Sequence, residues 1–153
     1  LMPVCRQYDV ALTPYSPLAS GHLARATWDS DSVRSTTDAT MRNKYDAARA
    51  VDLPVIERVA QVASKHGVPM ARIALAWLWE RGVESPIVGC SSTARVDEAV
   101  AALDVRLTEE DKGFLEELYT AHELVGPLAR PGEKALAGTT NVKTKRPQNR
   151  RPC

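Results

Sequence analysis

The chain has 153 residues, of which 44% are hydrophobic, 25% charged and 5% aromatic, with a formal net charge of +1; this is the composition of one soluble globular domain and excludes a fibre or a wholly disordered chain. No apolar run reaches the roughly 18 residues of a membrane span, and Leu1-Met2-Pro3-Val4-Cys5-Arg6 lacks the basic, apolar and small-residue order of a signal peptide, so a soluble cytoplasmic protein without a membrane partner is expected. Cys5, Cys90 and Cys153 are few, odd in number and far apart, which leaves neither a disulfide framework nor a CxxC metal knuckle and predicts reduced thiols.

The sequence enters an apolar segment at Leu1 without a helix-start signal, as a chain cut within an element does. Residues 9–15 hold Val10, Ala11, Leu12 and Thr13, a short apolar run that stops at Pro14 and opens into a loop with Pro17 and Gly21, which predicts a buried strand. Residues 20–51 are mostly Ser, Thr, Asp, Arg and Ala, and a connection longer than about 15 residues inside a compact domain either has a task or is disordered. From Leu53 onward, Ile56, Val59, Ala60 and Ala63 recur at helical spacing, and Gly67 follows where a left-handed cap belongs. Residues 70–81 are apolar nearly all round and end at Gly82, so this helix needs cover on several sides. Pro86-Ile87-Val88-Gly89 reads as a very short strand, and Ser91-Ser92-Thr93 as the start of a helix with Val96, Ala99, Val100 and Leu103 on one buried face. Thr108-x-x-Asp111, with Glu109 and Glu110 near the positive helix end, is a capping box for a last helix burying Phe114, Leu115 and Leu118.

Charge divides the chain. Residues 1–126 carry 13 basic against 18 acidic side chains, and residues 127–153 carry 7 against 1. The basic tail also holds four prolines and no apolar period, so a domain over 1–126 followed by a mobile tail over 127–153 is expected. The order of strand, long loop, two helices, strand, helix, helix predicts an α/β fold with parallel strands joined by right-handed crossovers. A parallel sheet needs both faces covered and its edges paired, so two strands imply the end of something larger.

Four stretches together carry a resemblance: Tyr15-Ser16-Pro17-Leu18-Ala19-Ser20-Gly21 after a strand, Ile73-Ala74-Leu75-Ala76-Trp77-Leu78, Pro86-Ile87-Val88-Gly89, and Arg95-Val96-Asp97-Glu98-Ala99. In that order and spacing they resemble the C-terminal part of the aldo-keto reductases, over about residues 1 to 126. The long loop and the ending Leu118-Tyr119 with His122 and Gly126 look most like the aryl-alcohol dehydrogenase branch. The resemblance implies a (β/α)8 TIM barrel, incomplete as given, whose last two strands are residues 10–15 and 87–88, with the site at the C-terminal ends of the strands. It also implies NADP as cofactor. Tyr15 would stack on the nicotinamide; Ser16, Leu18 and Gly21 would line the pyrophosphate; Gly89, Cys90, Ser92, Arg95 and Glu98 would surround the adenosine end. Arg95 would favour NADP over NAD through a forked contact with the 2'-phosphate.

The implied reaction is hydride transfer to a small aldehyde or ketone, with an Asp, Tyr, Lys and His tetrad on early strands that has no counterpart to be placed here; the isolated chain is therefore expected to be inactive. Two departures stand out: Tyr8-Asp9, where the family often has Gly, and Ala99, where many members have Asn contacting adenine. A non-catalytic NADP-binding or regulatory protein of the same fold, similar to potassium-channel β subunits, or a truncated remnant, is the alternative. The same residues also have plainer readings. Tyr15 can simply close a strand end, Arg95 and Glu98 at i and i+3 can form a solvated ion pair, and Cys90 reads as a small buried filler rather than a nucleophile. His22, His66 and His122 fit no metal spacing, and no metal is expected; the absence of GxGxxG argues against a Rossmann domain. Lys143, Lys145, Arg146, Arg150 and Arg151 suit a solvated tail better than a nucleic-acid contact.

Overall fold

Where the apolar spacing is most regular, the chain builds its core. The computed structural model describes residues 1–28 and 45–121, all within one compact unit, Leu1–His122; the expected mobile tail and the middle of the long loop lie outside the described residues. The α-helices are α1 (Met2–Gln7), α2 (Arg49–His66), α3 (Met70–Glu80), α4 (Thr93–Ala101) and α5 (Glu109–Glu116), with 3-10 turns at Ala19–Ala24, Asp46–Ala48 and Ala102–Asp104. No helix among the described residues is long and apolar enough to cross a membrane. Val59, Val62 and Ala63 of α2, Ile73 and Ala76 of α3, Leu107, and Leu115 of α5 form the core cluster, with Leu23, Trp77 and Phe114 packed on it. Ile73 is fully buried, and burying such a side chain contributes roughly 1.5–3 kcal/mol.

Several expectations are corrected. The opening residues are helical despite their missing start signal: Pro3 suits the first turn of α1, where its absent N–H has no partner to lose. The turn after α1 places Asp9 at φ +52°, a left-handed conformation that glycine adopts without strain and Asp tolerates. Helix α2 begins at Arg49 rather than Leu53 because the turn Asp46–Ala48 runs directly into it, and Pro54 is carried inside the helix. It stops as expected: Gly67 at φ +63° lets its own N–H reach the Ser64 carbonyl at 3.2 Å and the Val68 N–H reach Ala63 at 3.0 Å. The face of α4 is not buried; Val96, Val100 and Leu103 are each about half exposed or more among the described residues. Neither predicted strand is a strand. Residues 10–15 and 84–88 are extended, and they pair only as a single parallel bridge between Tyr15 and Ile87. Pro14 and Pro86 carry no N–H for a ladder, and no third extended segment pairs with them among the described residues.

The capping box of α5 is present in full, and one of its members does more than cap. The Asp111 N–H donates to Thr108 Oγ1 at 3.1 Å and the Thr108 N–H to Asp111 Oδ2 at 3.0 Å. Asp111 is 2% exposed and also accepts from Lys65 Nζ at 2.8 Å and pairs with His66 Nε2 at 2.9 Å. Burial raises its pKa, but the hydrogen bonds from Lys65, His66 and Thr108 together outweigh burial and hold the carboxyl far below the usual range. This carboxylate thus joins the end of α2 to the start of α5.

A carboxyl with a depressed folded pKa stabilises above its unfolded pKa, about 3.9, and the contribution is lost as pH falls through the folded value. Asp111→Asn is therefore expected to cost about 1–3 kcal/mol at neutral pH and to flatten the decline in stability below about pH 4. Urea unfolding of both proteins across that range measures it; parallel acid profiles would show that Asp111 does not tie the helices.

Candidate functional site

Two extended segments that barely pair still bring distant parts of the chain to one edge. The Ile87 N–H donates to the Pro14 carbonyl at 2.9 Å and the Ser85 N–H to Leu12 at 3.2 Å. Glu84 extends the contact sideways, accepting from the Leu12 N–H at 2.8 Å, and this backbone hydrogen bond holds its carboxyl below the ordinary value. Because the pairing is parallel, the loop after Tyr15 and the turn leading to Ser92 both leave from the same end.

The first of these exits is conformationally demanding. Ser16, Ala19 and Ser20 take φ of +55°, +47° and +56°, and Gly21 takes +98°. A non-glycine residue held there costs about 1–2 kcal/mol, and such positions concentrate at functional sites. The Leu18 carbonyl closes the loop by accepting from Gly21 at 2.8 Å and Leu23 at 3.3 Å. Behind it His22, 4% exposed, stacks on Trp28 at 4.2 Å and meets Tyr45 edge-on at 5.3 Å. Arg25 Nη2 donates to the Trp28 carbonyl at 3.2 Å and Trp28 Nε1 to Asp46 Oδ1 at 3.2 Å. This aromatic cluster, invisible to local patterning, ties residue 28 to residues 45 and 46.

The second exit is open. Ser92 is the N-cap of α4, but its side chain makes no capping hydrogen bond, so the first N–H groups of the helix face outward without that partner. Gly89 has open space where a Cβ would stand. Tyr15, 72% exposed, Ser16, Gly89, Cys90, Ser92 and Arg95 are all exposed, and Leu18 and Gly21 are half-buried. Cys90 is thus a free, exposed thiol and not the buried filler of the plainer reading. The Arg95–Glu98 pair does not form: Glu98 is held by Arg72 of α3 through Nε at 2.8 Å and Nη2 at 2.9 Å. That fork is the main cause holding the Glu98 carboxyl below its ordinary value and the Arg72 guanidinium above its own. Arg72, a lone cation in an otherwise apolar stretch, was the available sign; its partner 26 residues away has no local pattern. The Arg95 N–H donates to the Ser92 carbonyl at 3.1 Å, but its guanidinium has no hydrogen bond, ion pair or ring contact among the described residues.

An apolar groove of about 710 Å3 lies elsewhere, lined by Met2, Leu23, Val55, Trp77 and Leu115 among others, and it includes none of the nine candidate residues.

The Aldo/keto reductase family model matches residues 1–120. The chain belongs to the aldo/keto reductase family. The family implies a (β/α)8 barrel. A versiconal hemiacetal acetate reductase of Aspergillus parasiticus is 38% identical over 135 residues, which are 88% of this chain and 38% of that protein. An aldo-keto reductase of Metarhizium robertsii is 40% identical over 123 residues, 80% of this chain and 33% of the relative. A putative aryl-alcohol dehydrogenase of Saccharomyces cerevisiae is 40% identical over 120 residues, 78% of this chain and 34% of the relative. The chain thus spans between 33% and 38% of the length of these relatives. In this aldo/keto reductase chain the matched region contains both exits and the whole of α4.

Gly21 tests whether the first exit is fixed as described. A Cβ there would meet Arg25 Nη1 at 2.9 Å on a backbone at φ +98°, so Gly21→Ala is expected to lower stability by about 1–2 kcal/mol. A thermal-melting difference within error of zero would show that the loop relaxes freely.

Proposed function

We propose that this chain is the cofactor-binding part of an oxidoreductase that uses NADP to interconvert small aldehydes or ketones and alcohols. One observation carries the reading. Among the described arginine and lysine side chains, that of Arg95 alone lacks a protein partner, and it stands in the first turn of α4, where helix N–H groups and a positive dipole end already favour a phosphate. Because the Tyr15–Ile87 bridge is parallel, the Tyr15 loop and the segment leading to α4 leave it in the same direction, which supports a ligand with a flat ring at one end and phosphates at the other.

The residues present fit the cofactor. Tyr15 offers a flat exposed ring to the nicotinamide face. Ser16, Leu18 and Gly21, in the loop that carries the left-handed residues, would line the pyrophosphate, and Gly89, Cys90, Ser92 and Arg95 the adenosine end, with the Arg95 guanidinium on a 2'-phosphate as a charge-assisted fork. The bound nicotinamide would supply the hydride. This chain's own residues bind and orient it; the tetrad that would move the proton finds no counterpart among them, so we assign binding without turnover to these 153 residues alone.

Arg95→Ala is the direct test. NADPH affinity should fall about 10- to 100-fold as a charged hydrogen bond is lost, while NADH affinity changes little. Equal losses for both nucleotides in a titration would make Arg95 structural, and no binding of either by the native chain would end the proposal.

A further inference from the structure

Glu98 stands one helical turn from Arg95, at i and i+3 on α4, a spacing that brings side chains of opposite charge within reach. Left alone, its carboxylate would pair with the Arg95 guanidinium and oppose any dianionic phosphate arriving there. Instead, both its oxygens are occupied by Arg72, at 2.8 and 2.9 Å. The Arg72 side chain is about one quarter exposed and that of Glu98 about half, so the fork lies at the junction of α3 and α4. Asp104, at the end of the following turn, adds a second negative charge on the Arg72 side of the fork.

We infer that Arg72 determines phosphate selectivity without touching the ligand: by holding Glu98 in a two-pronged ion pair it keeps Arg95 free and removes the negative charge that would repel a 2'-phosphate. Arg72 is a positioning residue. The inference rests on the reading of Arg95 as the 2'-phosphate site and adds what keeps that site available. A fork is needed because a guanidinium occupies both carboxylate oxygens at once, whereas an ammonium engages a carboxylate as a point charge.

The test titrates the full chain with 2',5'-ADP, which carries the 2'-phosphate, and with 5'-AMP, which lacks it. Arg72→Gln should cut the preference for 2',5'-ADP about 3- to 10-fold, from a regained Arg95–Glu98 pair and from repulsion of the phosphate, with 5'-AMP binding unchanged. Arg72→Gln combined with Glu98→Gln should restore the preference to within about twofold of the native chain, a rescue that a merely structural role for Arg72 would not give. Because Arg72→Gln strands a carboxylate and risks unfolding, Arg72→Lys is measured beside it, with an expected loss of about two- to threefold. A native preference that Arg95→Ala abolishes but that both Arg72 variants leave intact would overturn this inference and spare the reading beneath it. A native chain without preference for 2',5'-ADP, or one binding neither probe, would overturn both.

Discussion

Two peptide hydrogen bonds and one parallel bridge between residues 12–15 and 85–87 decide where everything of functional interest stands. Closing a connection of that length carries an entropic cost that grows with the logarithm of the chain between its ends, and so small a contact cannot repay it alone. The intervening chain does the rest. Helices α2 and α3 bury Val59, Val62, Ala63, Ile73 and Ala76 against one another and against Leu115, and this packing brings the two extended segments together. Glu84 then takes up the Leu12 N–H, which a lone bridge would leave without a partner on that side. The geometry of the two exits is therefore a product of the helical core, on which Leu23 at the end of the first exit also packs.

How much of this could be read from the residues depended on whether the determining interaction was local. The capping box at Thr108 and Asp111 was legible because its partners are three residues apart, and the end of α2 because glycine alone adopts the left-handed turn at Gly67 without strain. The start of α2 was not, since Pro54 and the polar residues before it read as loop while the turn Asp46–Ala48 nucleates the helix upstream. The two strands were legible as extended apolar runs, but a ladder requires a partner and donors, and periodicity reports neither. The face of α4 failed for a related reason: Val96 and Val100 form a stripe at helical spacing, which identifies a face without supplying a neighbour to cover it. In the site, Tyr15 and Arg95, which the resemblance nominates, are both exposed, whereas Glu98 turns toward a residue that only the packing of α3 on α4 brings near.

The ion pairs follow a pattern that local reading does not show. Basic residues of α2 and α3, namely Arg58, Lys65 and Arg72, with Arg81 just after, meet acidic residues of α4 and α5, or next to them: Glu117, Asp111, Glu98 and Glu116. Arg58 and Lys65 are seven residues apart, two turns of α2, so they recur on one side of that helix, while Arg72 and Arg81 belong to α3 and its end. Apart from the buried Asp111, such pairs contribute little to stability one by one in water. Their larger effect is allocation.

A region that carries more acidic than basic side chains over residues 1–126 would ordinarily leave no arginine without a carboxylate nearby. Here Glu98 of α4 and Asp111 and Glu116 of α5 are drawn toward α2, α3 and the end of α3, and the Arg95 guanidinium in the first turn of α4 keeps no protein partner among the described residues. An exposed arginine alone says little, since most arginines are exposed. Its meaning comes from three independent circumstances: an uncapped helix start beneath it, a strained loop leaving from the same edge, and a neighbouring glutamate turned away by a fork that costs two side chains their freedom. Each has a simpler structural excuse when taken singly. Under the proposed reading, a ligand with phosphate at one end and a flat ring at the other would give all three the same cause.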